Sequence, residues 1–233
     1  MPRTLKLTVE YLGAGFAGWQ AQASGRRTVQ GVLAEAVARV TGERVAVHGA
    51  GRTDAGVHAL GQVASLVLER STLAPDALRD ALNAVLPADV SVRAVEEAHA
   101  GFHARKDAAG KRYRYLILVS PARSPFWEGR AWHRRGPLDL DAMRRAASGL
   151  VGTHDFSAFR AAASEARSAV RTVSRLTIDA DPEVERLVRV EIEGDGFLTH
   201  MVRIIVGTLV EVGRGKMPAE RVAEILAGRD RRA

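Results

Sequence analysis

The sequence predicts an α+β protein built from two similar units, and three observations carry this prediction. Hydrophobic residues alternate with polar ones in some segments, as in strands, and recur every three or four residues in others, as in helices. The resulting strands and helices follow nearly the same order in both halves of the chain. A short motif also recurs, because Val9–Phe16 and Val190–Phe197 match at five of eight positions. Each copy lies where a strand leads towards a helix, which favours a duplicated unit.

The first half of the chain predicts four strands and two helices. Helical spacing predicts one helix after Thr28, over Val29–Val40, and a second over Pro75–Val85, where an early proline suits the first turn. The order β-α-β-β-α-β is that of the ferredoxin-like split unit. The predicted strands are Thr4–Leu12, Val45–His48, Gln62–Leu68 and Val90–Glu96.

The second half repeats this order up to its end. Strands are expected at Lys111–Val119, Val170–Asp179 and Leu187–Glu193. Helices are expected over Leu140–Leu150 after Asp139, over Phe197–Val212, and over Pro218–Leu226 before Gly228. The order β-α-β-β-α-α predicts a second ferredoxin-like unit that lacks its last strand in this chain. We expect mixed or antiparallel sheets with helices on one face, and α+β domains at 1–100 and 101–233.

Composition excludes several classes of protein. Apolar residues make up 46% of the 233 residues, which is enough for a core. The absence of cysteine excludes a disulfide framework, a thiolate metal site and a thiol nucleophile. No apolar run approaches the roughly 20 residues that span a bilayer, and the first residues do not resemble a signal peptide. A cytoplasmic protein without a membrane partner is therefore expected.

The positive charge is concentrated in one stretch. The formal net charge is +7, and residues 102–135 contain nine basic and two acidic side chains. This stretch therefore carries the whole excess, and the remainder has 25 basic and 25 acidic residues. The pattern favours a polyanionic partner such as nucleic acid, although a charge of this size also serves solubility alone. The nine basic residues are Arg105, Lys106, Lys111, Arg112, Arg114, Arg123, Arg130, Arg134 and Arg135.

The glycine-rich segment Gly49–Ala59, between two predicted strands, is the strongest candidate for a functional loop. Glycines permit unusual backbone angles and close approach of a ligand. Arg52 and Asp54 would project to the same side of an extended backbone. The alternative is a turn in which Asp54 caps backbone amides and Arg52 is solvated. Asp54 and His58 could also form a metal pair, but no further ligands accompany them, so no metal is expected.

A second candidate is the strand Lys111–Tyr115. Tyr113 and Tyr115 would share one face and Arg112 and Arg114 the other. Aromatic rings within basic sequence suit base stacking combined with phosphate neutralisation. The alternative places the tyrosines in a core and the arginines in water.

A third candidate is Arg203, in a helix that is otherwise almost wholly apolar. A buried arginine needs a carboxylate partner, for which Asp54 is a candidate. The alternative is a surface arginine whose aliphatic stem covers the core.

Taken together, these motifs resemble the TruA family of tRNA pseudouridine synthases. The matching segments occur in family order over nearly the whole chain. They are Tyr11 with Gly18-Trp19-Gln20, Val29-Gln30, Gly51-Arg52-Thr53-Asp54-Ala55-Gly56-Val57-His58, Gly61-Gln62, Asn83, Phe102-His103-Ala104-Arg105, Arg112-Tyr113-Arg114-Tyr115, Asp155-Phe156-Ser157-Ala158-Phe159-Arg160 and His200-Met201-Val202-Arg203.

The resemblance implies the pseudouridine synthase fold and conversion of uridine to pseudouridine at positions 38, 39 and 40 of the tRNA anticodon stem-loop. It also implies a homodimer that binds the anticodon arm of tRNA and uses neither a cofactor nor a metal.

The resemblance further implies roles for individual residues. Asp54 would be the essential carboxylate, acting as nucleophile or as base towards the ribose. Arg203 would pair with Asp54, and Arg52 would help to extrude the target base or fill its place. Tyr113 would stack on the flipped uracil. Other expected substrate-binding residues are His58, Arg105, Arg112, Arg114, Arg134 and Arg135.

Two other functions stay open at this point. A non-catalytic RNA-binding module would use stacking aromatics on an open sheet and would not need Asp54. A metal-dependent nuclease or phosphatase would use Asp54 and His58 and would be inhibited by a chelator.

Overall fold

The chain folds into two compact units, Met1–Ala108 and Ala109–Ala233. The structure is a computed structural model and describes residues 2–23, 25–162 and 166–230. Residues beyond the predicted boundary at 100 still belong to the first unit. The Ala98 amide donates to the Thr4 carbonyl at 2.9 Å, and the Ala104 amide donates to the Ser65 hydroxyl at 3.0 Å. These bonds hold the connecting segment against the first sheet.

The first unit contains six elements of the predicted types in the predicted order, but only His48 of the predicted strand Val45–His48 lies in a strand. Its four strands form one antiparallel sheet with the order β2-β3-β1-β4. The elements are β1 Arg3–Tyr11, α1 Val29–Thr41, β2 His48–Gly49, β3 Ala59–Leu68, α2 Pro75–Val85 and β4 Val90–Glu97.

Alternation along β1 and helical spacing in α1 and α2 build the core of this unit. Leu5, Leu7 and Val9 are buried on one face of β1 and join Leu33 of α1 and Leu82 of α2 in one cluster. Each such side chain contributes roughly 1.5–3 kcal/mol when it is fully buried. The rigid sheet fixes where the β2–β3 loop begins and ends.

Local signals set the ends of α1. The Thr28 hydroxyl accepts the Gly31 amide at 3.3 Å and caps the start. Gly42, with φ of 72°, takes the left-handed conformation that ends many helices.

The second unit contains five strands and three helices among its described residues. Its sheet has the order β6-β5-β9-β8-β7, in which β5 and β6 are parallel and the other pairs antiparallel. The elements are β5 Lys111–Val119, β6 Trp132–Arg134, α3 Leu140–Ser148, β7 Gly152–Asp155, β8 Val170–Ala180, β9 Leu187–Gly194, α4 Met201–Gly213 and α5 Glu220–Gly228.

Two strands of this unit were not predicted. β6 and β7 have three and four residues, which is too short for alternation to show. β6 forms because it pairs with Ile117–Val119 of β5, and β7 forms because it pairs with β8. Within the residues described up to 230, no strand follows α5.

The predicted starts of α4 and α5 were too early. Phe197 precedes a turn in which the Met201 amide donates to the Leu198 carbonyl at 3.0 Å. His200 then takes φ of 61°, so the helical backbone begins only at Met201. α5 begins at Glu220 rather than at Pro218.

The predicted α+β class is confirmed, with two sheets and five helices among the described residues. Helices pack on the apolar face of each sheet, as expected. In the part of the chain that the structure describes, no helix is long and apolar enough to cross a membrane.

Candidate functional site

The loop between β2 and β3 ends in a tight turn that carries Asp54. The Val57 amide donates to the Asp54 carbonyl at 3.2 Å, and Gly56 takes φ of 79°. This is the position at which type II turns take glycine. Arg52 and Asp54 are both exposed on either side of the half-buried Thr53. Both side chains are thus presented at the surface of the first unit.

The start of this loop is tied to β3 by two hydrogen bonds, and its end continues directly into that strand. The Ala50 amide donates to the Val63 carbonyl at 2.8 Å. The Gln62 side-chain amide donates from Nε2 to the Gly51 carbonyl at 2.9 Å. The loop therefore leaves and rejoins a rigid sheet within a few residues.

A second segment, Tyr11–Trp19, packs against the loop. The Trp19 amide donates to the Thr53 carbonyl at 3.0 Å, and the Tyr11 hydroxyl shares a 2.8 Å hydrogen bond with Thr53 Oγ1. The Gly13 amide donates to Nδ1 of His58 at 3.1 Å. Nδ1 of His58 is therefore used to hold the loop against the segment Tyr11–Trp19. The predicted role of His58 in substrate binding stays a prediction.

Two glycines are required for this close packing. A Cβ on Gly13 would lie 1.9 Å from the Val57 carbonyl oxygen. A Cβ on Gly18, whose φ is 101°, would lie 2.7 Å from the Thr53 carbonyl oxygen. Tyr11, Gly18 and Trp19 belong to the segments that resemble the family, but the sequence alone assigned them no role. Their contacts with Thr53 show that they support the loop.

The tyrosines of β5 face the core of the second unit. Tyr113 and Tyr115 are half-buried, as one of the two sequence alternatives expected. The Tyr113 ring meets Phe197 edge-on at 5.2 Å between centroids, and the Tyr115 ring meets Trp132 at 6.4 Å. The Phe197 contact fixes the plane of the Tyr113 ring.

The arginines of β5 lie on the opposite face and are paired with carboxylates. Arg112 Nε lies 2.9 Å from Glu193 Oε1, and Arg114 Nε lies 2.7 Å from Glu191 Oε1. The Arg114 hydrogen bond lowers the pKa of Glu191 from its usual value. A phosphate at these arginines would have to compete with the two carboxylates.

The other predicted phosphate contacts differ in their surroundings. Arg105 is exposed and belongs to the first unit, whereas Arg134 and Arg135 belong to the second. Arg134 is half-buried, with its guanidinium carbon 5.0 Å from the centre of the Trp132 ring, and Arg135 is exposed. The basic stretch 102–135 is thus shared between the two units.

Phe126 is an aromatic residue that the sequence analysis did not single out. It is 87% exposed, in a short 3₁₀ turn at Pro125–Trp127, within the basic stretch.

Arg203 lies in the first turn of α4 and is exposed. The buried face of α4 is formed by other residues, including Met201, Ile205 and Leu209. The exposure of Arg203 therefore agrees with the alternative of a surface arginine. The pairing of Arg203 with Asp54 stays a prediction.

Among the described residues, no three His, Asp or Glu side chains are grouped so that they could hold a metal ion. A cavity of about 440 Å³ lies in the second unit, lined partly by Asp139, Arg145 and Lys216. None of the predicted site residues lines it.

Comparison with known proteins identifies the family. The model of a family described as tRNA pseudouridine synthase matches residues 7–105 and 146–233. These ranges include Arg52, Asp54 and Arg203, whereas Tyr113 lies between them.

Curated relatives match over nearly the whole chain, each named tRNA pseudouridine synthase A. The relative from Geobacter sp. (strain M21) is 46% identical over 98% of this chain and 91% of its own length. That from Geobacter sulfurreducens is 48% identical over 96% of this chain and 90% of its own length. That from Acetivibrio thermocellus is 46% identical over 99% of this chain and 92% of its own length. With the family resemblance of the sequence motifs thus confirmed, the chain belongs to the tRNA pseudouridine synthase family.

Proposed function

We propose that this protein isomerises uridine to pseudouridine at positions 38, 39 and 40 of the tRNA anticodon stem-loop. It acts as a cytoplasmic homodimer that binds the anticodon arm and needs neither a cofactor nor a metal. The observation that carries the proposal is the exposed Asp54 on a loop that is hydrogen-bonded to β3 at its start and runs into β3 at its end, in a chain of this family.

The reaction rearranges one glycosidic bond. The bond between ribose C1′ and uracil N1 breaks, the uracil rotates, and C1′ forms a bond to C5. The hydrogen on C5 leaves as a proton and N1 gains a proton, so atoms and charge balance.

Asp54 is the residue that acts on the ribose. Breaking the C–N bond leaves an electron-poor sugar carbon, which an ionised carboxylate can attack or stabilise. Asp54 would alternatively remove a proton from the ribose as a base. Arg203 would hold Asp54 ionised, because a nearby cation favours the charged form of a carboxyl group.

Three further residues handle the target base. A paired or stacked base must leave the stem before its glycosidic bond can react. Arg52, exposed beside Asp54, would extrude the base or fill its place, and His58 would contact it from the same loop. Tyr113 would stack on the flipped uracil, with its ring plane fixed by Phe197.

Arginines would hold the RNA backbone. Contacts with phosphate position the RNA without reading its sequence, which suits an enzyme that acts at three neighbouring positions. Arg105, Arg134 and Arg135 make no ion pair among the described residues and are best suited to this role. Arg112 and Arg114 would bind a phosphate in place of the glutamate carboxylates with which they are now paired.

The test is tritium release from tRNA labelled at uracil C5, with EDTA present. Wild-type protein should release tritium, and Asp54→Asn should reduce the rate by about 10³-fold or more, because the amide cannot replace an ionised carboxylate. Glu185→Asn, which removes an exposed carboxylate in the second unit, is the control and should release tritium normally.

Each alternative function gives a different result. A non-catalytic RNA-binding module would bind tRNA and release no tritium. A metal-dependent nuclease or phosphatase would lose its activity in EDTA. Equal tritium release by wild type and Asp54→Asn would show that Asp54 takes no part in the reaction.

A further inference from the structure

We propose that Tyr11 is a positioning residue for Asp54, acting through Thr53, and that segment Tyr11–Trp19 is the support on which the loop is held. The inference rests on the proposed function, because it assigns to Asp54 the chemistry described above. It gives a role to residues that do not themselves touch the substrate.

Thr53 is held from two directions, and it directly precedes Asp54 in the chain. Its hydroxyl shares a hydrogen bond of 2.8 Å with the Tyr11 hydroxyl. Its carbonyl accepts the Trp19 amide at 3.0 Å. With both its backbone and its side chain held, Thr53 leaves the following residue little freedom to move.

Tyr11 is well placed to give this support because it is itself fixed. It is the last residue of β1 and is only 3% exposed. Its ring lies 6.2 Å from the Trp19 ring, measured between centroids. Burial raises the pKa of Tyr11, so that its hydroxyl stays protonated at neutral pH.

Gln62 links the same hydroxyl to the start of the loop. Its side chain contacts the Tyr11 hydroxyl and donates to the Gly51 carbonyl at 2.9 Å. Tyr11, Thr53 and Gln62 thus form one polar cluster beneath the loop, with connections on both sides of Arg52.

The far side of the loop is held by the same segment. The Gly13 amide donates to His58, and the Gly56 amide donates to the Phe16 carbonyl at 3.4 Å. Asp54 therefore lies between two points of attachment, Thr53 before it and Gly56 after it.

The loop needs such support because its own sequence is flexible. Gly49, Gly51 and Gly56 lower its intrinsic rigidity. A catalytic group has to be held within roughly 0.5 Å of its productive position, and a displacement of about 1 Å can lower the rate by about 100-fold. Contacts from outside the loop must therefore supply the precision.

The decisive variant is Tyr11→Phe, which removes one hydroxyl and keeps the ring in the core. We expect the single-turnover rate of tritium release to fall by about tenfold or more, with the affinity for tRNA unchanged. Thr53→Val should have the same effect. Thr53→Ser, which keeps the hydroxyl, should release tritium at the wild-type rate. The double variant should be no slower than Tyr11→Phe alone, because Thr53→Val removes a hydrogen bond that Tyr11→Phe has already removed.

A second readout does not depend on activity. Hydrogen exchange at the Gly56 and Val57 amides reports how firmly the turn is held, and it should become faster in Tyr11→Phe. A wild-type protein that releases no tritium would overturn the proposed function alone, and hydrogen exchange would still decide whether Tyr11 holds the loop.

The matched control is Thr153→Val, which removes a hydroxyl pair of similar length (2.9 Å, to Thr172) on β7 and β8. It should change neither the rate nor the exchange at Gly56 and Val57. Tyr11→Phe with wild-type exchange in the turn would overturn the proposal. Wild-type release rates, or additive losses in the double variant, would equally rule out positioning through Thr53.

Discussion

At the scale of single residues, a buried carboxylate organises the turn after β3. Glu43 is 6% exposed and accepts the amides of Glu69 at 2.7 Å, Arg70 at 3.2 Å and Ser71 at 2.8 Å. The hydrogen bonds from these three amides, above all the one from Glu69, hold the pKa of Glu43 below its ordinary value. Charge-assisted hydrogen bonds to backbone amides thus replace the water that this carboxylate loses.

The Glu43 contacts predict a pH-dependent contribution to stability. A carboxyl group whose pKa is lower in the folded state stabilises the protein above its unfolded pKa, and this contribution is lost as pH falls through the folded pKa. Glu43→Gln should therefore lower the free energy of unfolding at pH 7, and the deficit should shrink below about pH 4. Urea denaturation of the wild-type protein and of Glu43→Gln, at pH 7 and below about pH 4, measures this difference in the free energy of unfolding.

Glu185→Gln serves as the control, because the Glu185 side chain is 86% exposed. It should change stability little at either pH. A Glu43→Gln deficit of equal size at both pH values would contradict the assignment to the ionised carboxylate.

At the scale of elements, α4 shows how packing decides the effect of one residue type. Gly207 and Gly213 lie in the same helix. A Cβ on Gly207 would meet nothing within 4 Å, whereas one on Gly213 would lie 2.6 Å from Met143 Sδ on α3. The first glycine leaves space beside the helix, and the second lets α3 and α4 approach each other.

The two positions predict opposite changes in stability. Gly207→Ala should raise the free energy of unfolding by roughly 0.5–1 kcal/mol, because alanine restricts the unfolded chain and favours helix. Gly213→Ala should lower it by roughly 1–3 kcal/mol, because Met143 must move out of a packed core. Denaturation at neutral pH compares the two with wild type. Equal effects at the two positions would show that α3 and α4 do not meet at Gly213.

Strand lengths explain how much of the fold could be predicted. The nine-residue β5 and the 11-residue α2 were predicted with the boundaries that the structure shows, because both are long enough for their periodicity to be read. β6 and β7 escaped prediction because their existence depends on pairing with distant residues. The start of α4 was missed because a left-handed His200 interrupts an apolar run that otherwise suits a helix.

At the scale of the whole molecule, the distribution of charge along the chain differs from its distribution in space. The stretch 102–135 carries the full excess of +7. In the structure, Arg112 and Arg114 face Glu193 and Glu191 of β9, which lie outside that stretch. The basic residues left without such a carboxylate, among those described, include Arg105, Arg134 and Arg135.

This difference predicts which arginines control the salt dependence of tRNA binding. The double reversal Arg134→Glu with Arg135→Glu should weaken binding and reduce the slope of log affinity against log salt by about 1–2. Titration of tRNA at several salt concentrations measures the slope. The control reverses Arg214 and Arg221, which each form an i,i+3 ion pair on a helix. It should leave the slope unchanged, and an equal reduction in both variants would indicate only the loss of net charge.

The candidate site divides in the same way into what could be predicted and what could not. Asp54 and Arg52 could be singled out because glycines between two strands mark a functional loop. The support from Tyr11 could not, because Tyr11 and Thr53 are 42 residues apart and no local pattern indicates a hydrogen bond between them.

The sequence predicts the α+β class, the order of the long elements, the loop that carries Asp54 and the family. Periodicity and glycine spacing are local properties, so they can be read along the chain. The three-dimensional structure adds that Thr53 is held by Tyr11 and Trp19, that Arg112 and Arg114 are paired with glutamates, and that β6 and β7 exist. These contacts join residues far apart in the chain, and folding has to bring them within hydrogen-bonding distance before they can form.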